Sequence, residues 1–95
     1  MTEHTDDGRY ILVGGRRWRA TDPLIPAARA AELRSALMAW RRAVKAVKGT
    51  EAEPAARAGV QAAKVALGER GQPWWEQTAA ERKARWETPV PLPGD

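Results

Sequence analysis

Two adjacent glycines, Gly14 and Gly15, constrain the fold of this chain more than any other feature. Strand-forming residues flank them in the segment RYILVGGRRWRAT, which spans residues 9–21. A two-residue turn between antiparallel strands needs positive φ angles, which glycine adopts without steric cost. The segment therefore predicts a β-hairpin that pairs Val13 with Arg16, Leu12 with Arg17, Ile11 with Trp18 and Tyr10 with Arg19.

Alternation of side chains along the two strands divides the predicted hairpin into two faces. The first face consists of Ile11, Val13, Trp18 and Ala20, with Arg16 at its tip. The second face consists of Tyr10, Leu12, Arg17 and Arg19. An isolated two-stranded hairpin is only marginally stable in water, so one face must pack on another element. We expect the more apolar first face to pack inward, with Trp18 as a structural anchor.

A long helix is predicted after the hairpin. Asp22 fits the N-cap position and Pro23 the first helical position. We expect the helix to run to about Lys48 and to end at Gly49, because glycine commonly terminates helices. Its apolar stripe, at spacings of four and three residues, consists of Leu33, Leu37, Trp40, Val44 and Val47.

A second helix is predicted directly after the first. Thr50 and Glu53 match the capping box, with Thr50 as the N-cap. This helix is expected to extend to about Leu67 and to end at Gly68 or Gly71. Because almost no loop separates the two helices, they form either an antiparallel hairpin or a bend, and we favour the hairpin.

The C-terminal segment carries three of the five tryptophans. Trp74 and Trp75 follow a break at Gly71-Gln72-Pro73, and Thr78 with Glu81 matches a second capping box. Residues 79–87 therefore predict a short third helix. We expect the structural anchors of the fold to be Trp18, Trp40, Trp74 and Trp75, with Trp40 against alanines of the second helix.

These elements predict a mainly α-helical fold with a small β-hairpin. The N-terminal two-stranded hairpin is expected to pack on an antiparallel two-helix hairpin, followed by a short C-terminal helix. Residues 1–8 are expected to form a disordered tail and residues 9–87 a single domain. Residues 88–95 are expected to form a proline-rich tail that is extended or disordered.

The composition indicates an untethered protein from a reducing compartment. The chain has 95 residues and no cysteine, so it forms no disulfide and no cysteine-based metal site. Its polar, acidic N-terminus does not resemble a secretory signal, and no apolar run approaches the roughly 18 residues of a membrane span. We therefore expect a soluble, cytoplasmic protein without a membrane partner.

Positive charge is concentrated in one part of the chain. Residues 9–48 carry a net charge of +8, whereas residues 1–8 carry −3 and residues 49–95 carry −1. This asymmetry favours an acidic partner such as nucleic acid, an acidic protein or a phosphate-bearing surface, although a charged stripe is more often a solvated face. The candidate binding surface consists of Tyr10, Arg17, Arg19, Arg34, Arg41, Arg42, Lys45 and Lys48.

The sequence argues against catalysis and against a bound cofactor or metal. His4 is the only histidine and Ser35 the only serine, so neither a Ser-His nor a Cys-His arrangement can form. His4, Asp6 and Asp7 make a polar cluster, but a floppy tail provides no fixed geometry for a metal ion. We therefore predict a non-enzymatic interaction or adaptor protein.

Self-association is expected because five tryptophans are many for so small a core. A homodimer through the helical hairpins would cover them. Equally, Trp74 and Trp75 could fold back onto the helix ends, so that a monomer suffices. The alternative function is that of a nucleic-acid-binding accessory protein that uses the basic hairpin and helix face.

The sequence resembles a family of small bacterial proteins of unknown function. The resemblance is carried by DGRYILV at residues 7–13, GRRWRATDP at residues 15–23, AKVALGERG at residues 63–71 and the tryptophan pair, with shorter matches at LM and RRAV in the first helix. It covers about residues 7–76 and implies no activity, cofactor or site residue. Some members carry an automatic label as a Tol-type biopolymer transporter, which this sequence does not support because it has no candidate membrane span or export signal.

Overall fold

A computed structural model describes residues 3–94 and has the predicted fold class, mainly α-helical with a small β-sheet. Three antiparallel strands precede three helices and one 3₁₀ turn. The strands are β1 (Glu3–His4), β2 (Tyr10–Val13) and β3 (Arg16–Arg19). The helices are α1 (Ala27–Val47), α2 (Glu53–Ala66) and α3 (Ala79–Glu87), and the 3₁₀ turn is Trp74–Glu76.

The β2–β3 hairpin has the predicted turn and register. Gly14 and Gly15 have φ angles of 58° and 79°, the positive values that a tight turn requires. All four predicted pairs form, from Val13 with Arg16 at the turn to Tyr10 with Arg19 at the open end. The register therefore places Ile11 and Trp18 on the same face of the sheet, as alternation predicts.

Residues 3–8 differ from the predicted disordered tail, because they add a third strand to the sheet. Glu3 pairs with Leu12 and His4 with Ile11. The turn that follows is fixed by Asp7, whose carboxylate accepts hydrogen bonds from the Thr5 hydroxyl and from the Arg9 amide. Met1 and Thr2, which belong to the same predicted tail, lie outside the described residues.

Helix α1 begins later than predicted, with Pro26 as its N-cap. Pro26 restricts the residue before it to extended conformations, so the helix cannot continue back through Ile25. Asp22 is therefore not the N-cap. It accepts a hydrogen bond from the Leu24 amide within a turn, and its carboxylate points into the protein. The other end agrees with the prediction, since Gly49 follows α1 with a φ of 81°.

Helices α1 and α2 form the predicted antiparallel hairpin and bury one common core. Trp40 packs on Gly59, at a position where a β-carbon would overlap the indole ring. The close approach expected of alanines is thus provided by a glycine. Nearer the sheet, the core consists of Ile25, Leu33, Leu37, Ala63, Ala66, Leu67 and Trp86.

The capping box predicted at Thr50 does not form, because α2 begins at Glu53 with Ala52 as its N-cap. The Glu53 carboxylate accepts instead from the Gly49 amide, while the Thr50 hydroxyl accepts from the Ala52 amide. The Thr50 hydroxyl also donates to the Val47 carbonyl at 2.6 Å, so Thr50 belongs to the turn that follows α1.

Helix α2 ends at Gly68, one of the two predicted positions, with a φ of 82°. The Gly68 amide donates to Val65 and the Glu69 amide donates to Lys64, which is the Schellman pattern. This tight termination matters for the site described below, because it fixes the direction in which Glu69 and Arg70 leave the helix.

Helix α3 has the predicted bounds and the predicted capping box between Thr78 and Glu81. Its inner face carries Arg82 and Arg85, which both pair with the carboxylate of Asp22. Asp22 is only 1% exposed. Burial alone would raise the pKa of Asp22, but hydrogen bonds from Arg82, the Leu24 amide and Arg85 outweigh it and hold the pKa below its ordinary value.

The proline-rich tail has no helix or strand over residues 89–92 and is docked on the helices. The Trp40 indole N–H donates to the Pro91 carbonyl at 2.7 Å, and Val90 packs against the core. Arg29 donates to the carbonyl oxygens of Trp86 and Thr88, where the tail leaves α3. Asp95 lies outside the described residues.

Candidate anion-binding cleft

An open cleft of about 660 Å³ lies between the sheet and the α1–α2 pair. The sheet contributes side chains of its first face together with Arg19 from the end of β3, and the helices contribute basic side chains from the end of the pair nearest the sheet. The lining residues are His4, Ile11, Val13, Trp18, Arg19, Thr21, Arg34, Arg41, Lys64, Glu69 and Arg70. Cations and one exposed indole ring are therefore brought together in a concave surface.

Trp18 lies in this cleft and is 40% exposed, which differs from its expected role as an inward anchor. The guanidinium of Arg16 lies 4.8 Å from the centre of the indole ring, and the Lys64 ammonium lies 5.8 Å from it. Both distances fall within the range of cation–π contact. The first face of the sheet does look toward the helices, but a cleft separates the two.

The sheet is held by the C-terminal tryptophans instead of by Trp18. The buried Trp74 donates its indole N–H to the Ala20 carbonyl at 3.0 Å. Trp75 packs edge-on against Tyr10, with ring centres 5.5 Å apart. Because Tyr10 lies on the second face of the sheet, the aromatic packing is on the side opposite the cleft. This arrangement leaves the Trp18 side open.

Glu69 is the one carboxylate among the described residues that line the cleft. It accepts hydrogen bonds from Arg34, at 3.0 Å, and from the hydroxyl of Thr21, at 2.7 Å. Within residues 3–94, neither Arg41 nor Lys64 forms an ion pair. The cleft thus has more positive charge than its own carboxylate can neutralise.

The surroundings of Lys64 disfavour its positive charge. Partial burial lowers its pKa, Glu69 opposes the shift, and the positive charges of Arg70, Arg41 and Arg34 lower the pKa further. The net effect is a pKa below the ordinary value of lysine. An anion entering the cleft would relieve this repulsion, because it would compensate several cations at once.

A second, smaller cavity of about 490 Å³ continues the cleft along the α1–α2 seam. Arg41 and Arg70 line both cavities, so the two are adjacent, and we refer to them together as the groove. The far part of the groove has an apolar floor that includes Val44 and Val60. Its cation Arg57 is paired with Glu53 at 2.6 Å, so surplus positive charge is concentrated at the sheet end.

The groove contains only part of the basic surface predicted from the sequence. Arg19, Arg34 and Arg41 line it, whereas Arg17 lies outside it and stacks on Tyr10 at 4.3 Å. Three other predicted cations of α1 are exposed but line neither cavity: Arg42, Lys45 and Lys48.

Sequence reasoning missed Lys64, Arg70 and His4 as residues of the cleft. The spacing of Arg57, Gln61 and Lys64 places these side chains on one stripe of α2, and this pattern was a usable signal. His4 could be placed only through the pairing of β1, which has two residues. Among residues 3–94, no cluster of three or more histidine, aspartate or glutamate side chains is arranged to hold a metal ion.

Comparisons with models of known protein families, with curated proteins and with solved structures find no match to this chain. The resemblance to a family of small bacterial proteins therefore stays a prediction. Among residues 3–94, no helix combines the length and the apolar character that crossing a lipid bilayer requires.

Proposed function

We propose that this protein is a non-enzymatic binding module that holds nucleic acid in the cleft between its sheet and its helix pair. The observation that carries the proposal is the surplus of cations around an exposed tryptophan, where Glu69 is the single lining carboxylate in the described part of the chain. Phosphate backbones are recognised mainly through lysine and arginine, and aromatic rings add contacts to bases. A cytoplasmic location, based on the absence of cysteine, belongs to the same proposal.

The arrangement of charge supports binding in preference to a solvated surface. Cations that only keep a protein soluble extend into water, where solvent and salt screen them from one another. Here Lys64 is partly desolvated and lies among three arginines, which costs free energy unless a ligand compensates it. We infer that the cleft is arranged for an anion that joins the protein from outside.

Self-association stays a prediction, and the packing of the tryptophans weakens the argument for it. It rested on the difficulty of covering five tryptophans in one small chain. Trp74 and Trp86 are buried within a single chain, and Trp40 and Trp75 have partners in it. The cleft is formed by the residues of one chain, so it gives no reason to invoke a second copy.

The proposal is tested by titrating a fluorescein-labelled 20-nucleotide DNA with the purified protein and measuring anisotropy over a range of salt concentrations. We expect binding that weakens steeply with salt. A triple variant that replaces Arg41, Lys64 and Arg70 with glutamine should bind roughly tenfold or more weakly at low salt, with a salt slope smaller by about 2 to 3.

The matched control replaces Arg42, Lys45 and Lys48 with glutamine. It removes the same net charge from exposed positions of α1 that line neither cavity. We expect it to retain most of the affinity. Absence of binding at low salt, or an equal loss in both triple variants, would contradict a role for the cleft.

A further inference from the structure

The geometry points to single-stranded nucleic acid as the ligand, with one base stacked on Trp18. This inference rests on the proposed function, since it specifies which form of nucleic acid the cleft accepts. It depends on one further observation, namely that Trp18 combines exposure with a position among the surplus cations.

Trp18 differs from the other tryptophans in what its ring contacts. Trp74 and Trp86 are buried. The Trp75 ring packs against Tyr10 and against two arginine side chains. Trp40 is covered by the proline-rich tail and by α2. Within residues 3–94, Trp18 is therefore the tryptophan that offers its ring to a ligand without unpacking the fold.

The contacts that Trp18 does make are of a kind that a nucleotide replaces. Arg16 and Lys64 lie near its ring as cations with flexible side chains, and both can turn to a phosphate. A base that stacks on the indole would displace these two cations from the ring and leave both within reach of its phosphates. The arrangement thus combines an exposed ring with two mobile counter-charges for a nucleotide.

The requirement for a free base face separates single strands from duplexes. In a duplex, each base is already stacked on its neighbours, so Trp18 could reach a ring face only after local unstacking. A single strand presents its bases without that cost. The second cavity adjoins the cleft at Arg41 and Arg70 and lies along the helix pair, where a flexible strand could place its following phosphates.

The experiment compares three probes of matched charge: an oligothymidylate, a DNA duplex and inorganic polyphosphate. We expect the wild-type protein to bind the oligothymidylate most tightly. Trp18→Leu keeps an apolar side chain but removes the ring. It should weaken oligothymidylate binding roughly tenfold while leaving duplex and polyphosphate binding unchanged.

Two further variants control for folding and for loss of apolar surface. Trp18→Phe keeps an aromatic ring and should recover part of the lost affinity. Leu12→Ala removes a similarly exposed apolar side chain from the second face of the sheet, outside the cleft, and should have little effect. Far-ultraviolet circular dichroism and the Tm of each variant show that the fold is retained.

The outcomes separate this inference from the proposed function. If the three probes bind alike and Trp18→Leu changes none of them, stacking on Trp18 is overturned while binding in the cleft stands. If the wild-type protein prefers polyphosphate, or binds none of the probes, both proposals are overturned. A selective loss of oligothymidylate affinity in Trp18→Leu, with recovery in Trp18→Phe, supports stacking.

Discussion

Arginines occupy two contrasting regions of this molecule. On one side, Arg82 and Arg85 converge on the buried carboxylate of Asp22, so that their charge is compensated inside the protein. On the other side, Arg41 and its neighbour Lys64 line an open cleft in which Glu69 is the only lining carboxylate among residues 3–94. The comparison shows that the position of the counter-charge, more than the number of cations, distinguishes a basic cluster that holds the fold together from one that is free for the ligand we propose.

We call the region around Asp22, Arg82 and Arg85 the closed region, and its buried polar side chains have hydrogen-bond partners. Arg85 also donates to the Ala66 carbonyl and to Gln77, so one guanidinium joins α2, α3 and the segment before α1. Among the described residues, no buried side-chain nitrogen or oxygen lacks a hydrogen-bond partner. A region of this kind should lose stability when a member is removed, whereas the cleft should lose binding.

Removal of the buried carboxylate should have the largest effect on stability. Asp22→Ala leaves Arg82 and Arg85 without their counter-charge and should lower the free energy of unfolding by about 3–5 kcal/mol. The matched change in the cleft, Glu69→Ala, should cost about 1 kcal/mol or less, because Arg34 is largely exposed and can turn to water. Urea denaturation measures both, and equal losses would contradict the contrast between the two regions.

Acidic pH should remove part of the stabilisation that the Asp22 carboxylate provides. The pKa of Asp22 is lowered in the folded state, so the unfolded chain binds the proton first. The stabilisation from Asp22 is fully present well above the unfolded pKa of about 3.9, and it is lost as the pH falls through that value toward the lower folded pKa.

This pH effect can be assigned to Asp22 by comparison with Asp22→Asn. Other carboxylates, Asp7 and Glu53, also have lowered pKa values and contribute to acid unfolding in both proteins. The difference in free energy of unfolding between wild type and Asp22→Asn should therefore be constant from pH 5 to 7 and shrink below about pH 4. A difference that does not depend on pH would show that the Asp22 charge does not stabilise the fold.

The contrast between the regions extends to two tryptophans, since Trp40 is packed and Trp18 is open. In Gly59→Ala, the new β-carbon would overlap the Trp40 ring, and overpacking of this kind costs about 1–3 kcal/mol. Helix propensity alone would favour alanine by about 1 kcal/mol. The sign of the measured change in the free energy of unfolding therefore shows which effect is larger. We expect net destabilisation in thermal unfolding.

A control on the same helix isolates the propensity effect. Ala62→Gly, at an exposed position of α2, should destabilise by about 1 kcal/mol through propensity alone. If Gly59→Ala instead stabilises the protein by a similar amount, the packing of Trp40 on α2 is not tight.

Local patterns made some of these features predictable. The hairpin register follows from Gly14 and Gly15, and the start of α3 follows from Thr78 and Glu81, because each involves residues within a few positions of one another. The prediction that Asp22 is the N-cap of α1 was wrong because it also relied on a local pattern. A carboxylate followed by proline resembles an N-cap locally, whereas its true partners are 60 and 63 residues away.

The cleft was predictable only in part, for a related reason. The charge stripe of α1 identified Arg34 and Arg41, but it also included exposed cations that the groove does not contain. Lys64 joins the site because β3 brings the Trp18 ring within 5.8 Å of its ammonium, while Trp75 packs against Tyr10 on the other face of the sheet. Such long-range packing has no period or spacing in the sequence that would indicate it.

The smallest expected effect on stability tests the open region most directly. Lys64→Met removes a partly desolvated cation from among Arg34, Arg41 and Arg70, while its apolar stem is replaced by one of similar size. Because the lowered pKa means that the folded state disfavours the charge, the change should leave the free energy of unfolding within about 0.5 kcal/mol of wild type or raise it slightly. The same variant should bind nucleic acid more weakly in the anisotropy titration. Unchanged stability with weaker binding is the pattern of a residue retained for its ligand, whereas a loss of several kcal/mol would place Lys64 with Arg82 and Arg85 in the closed region.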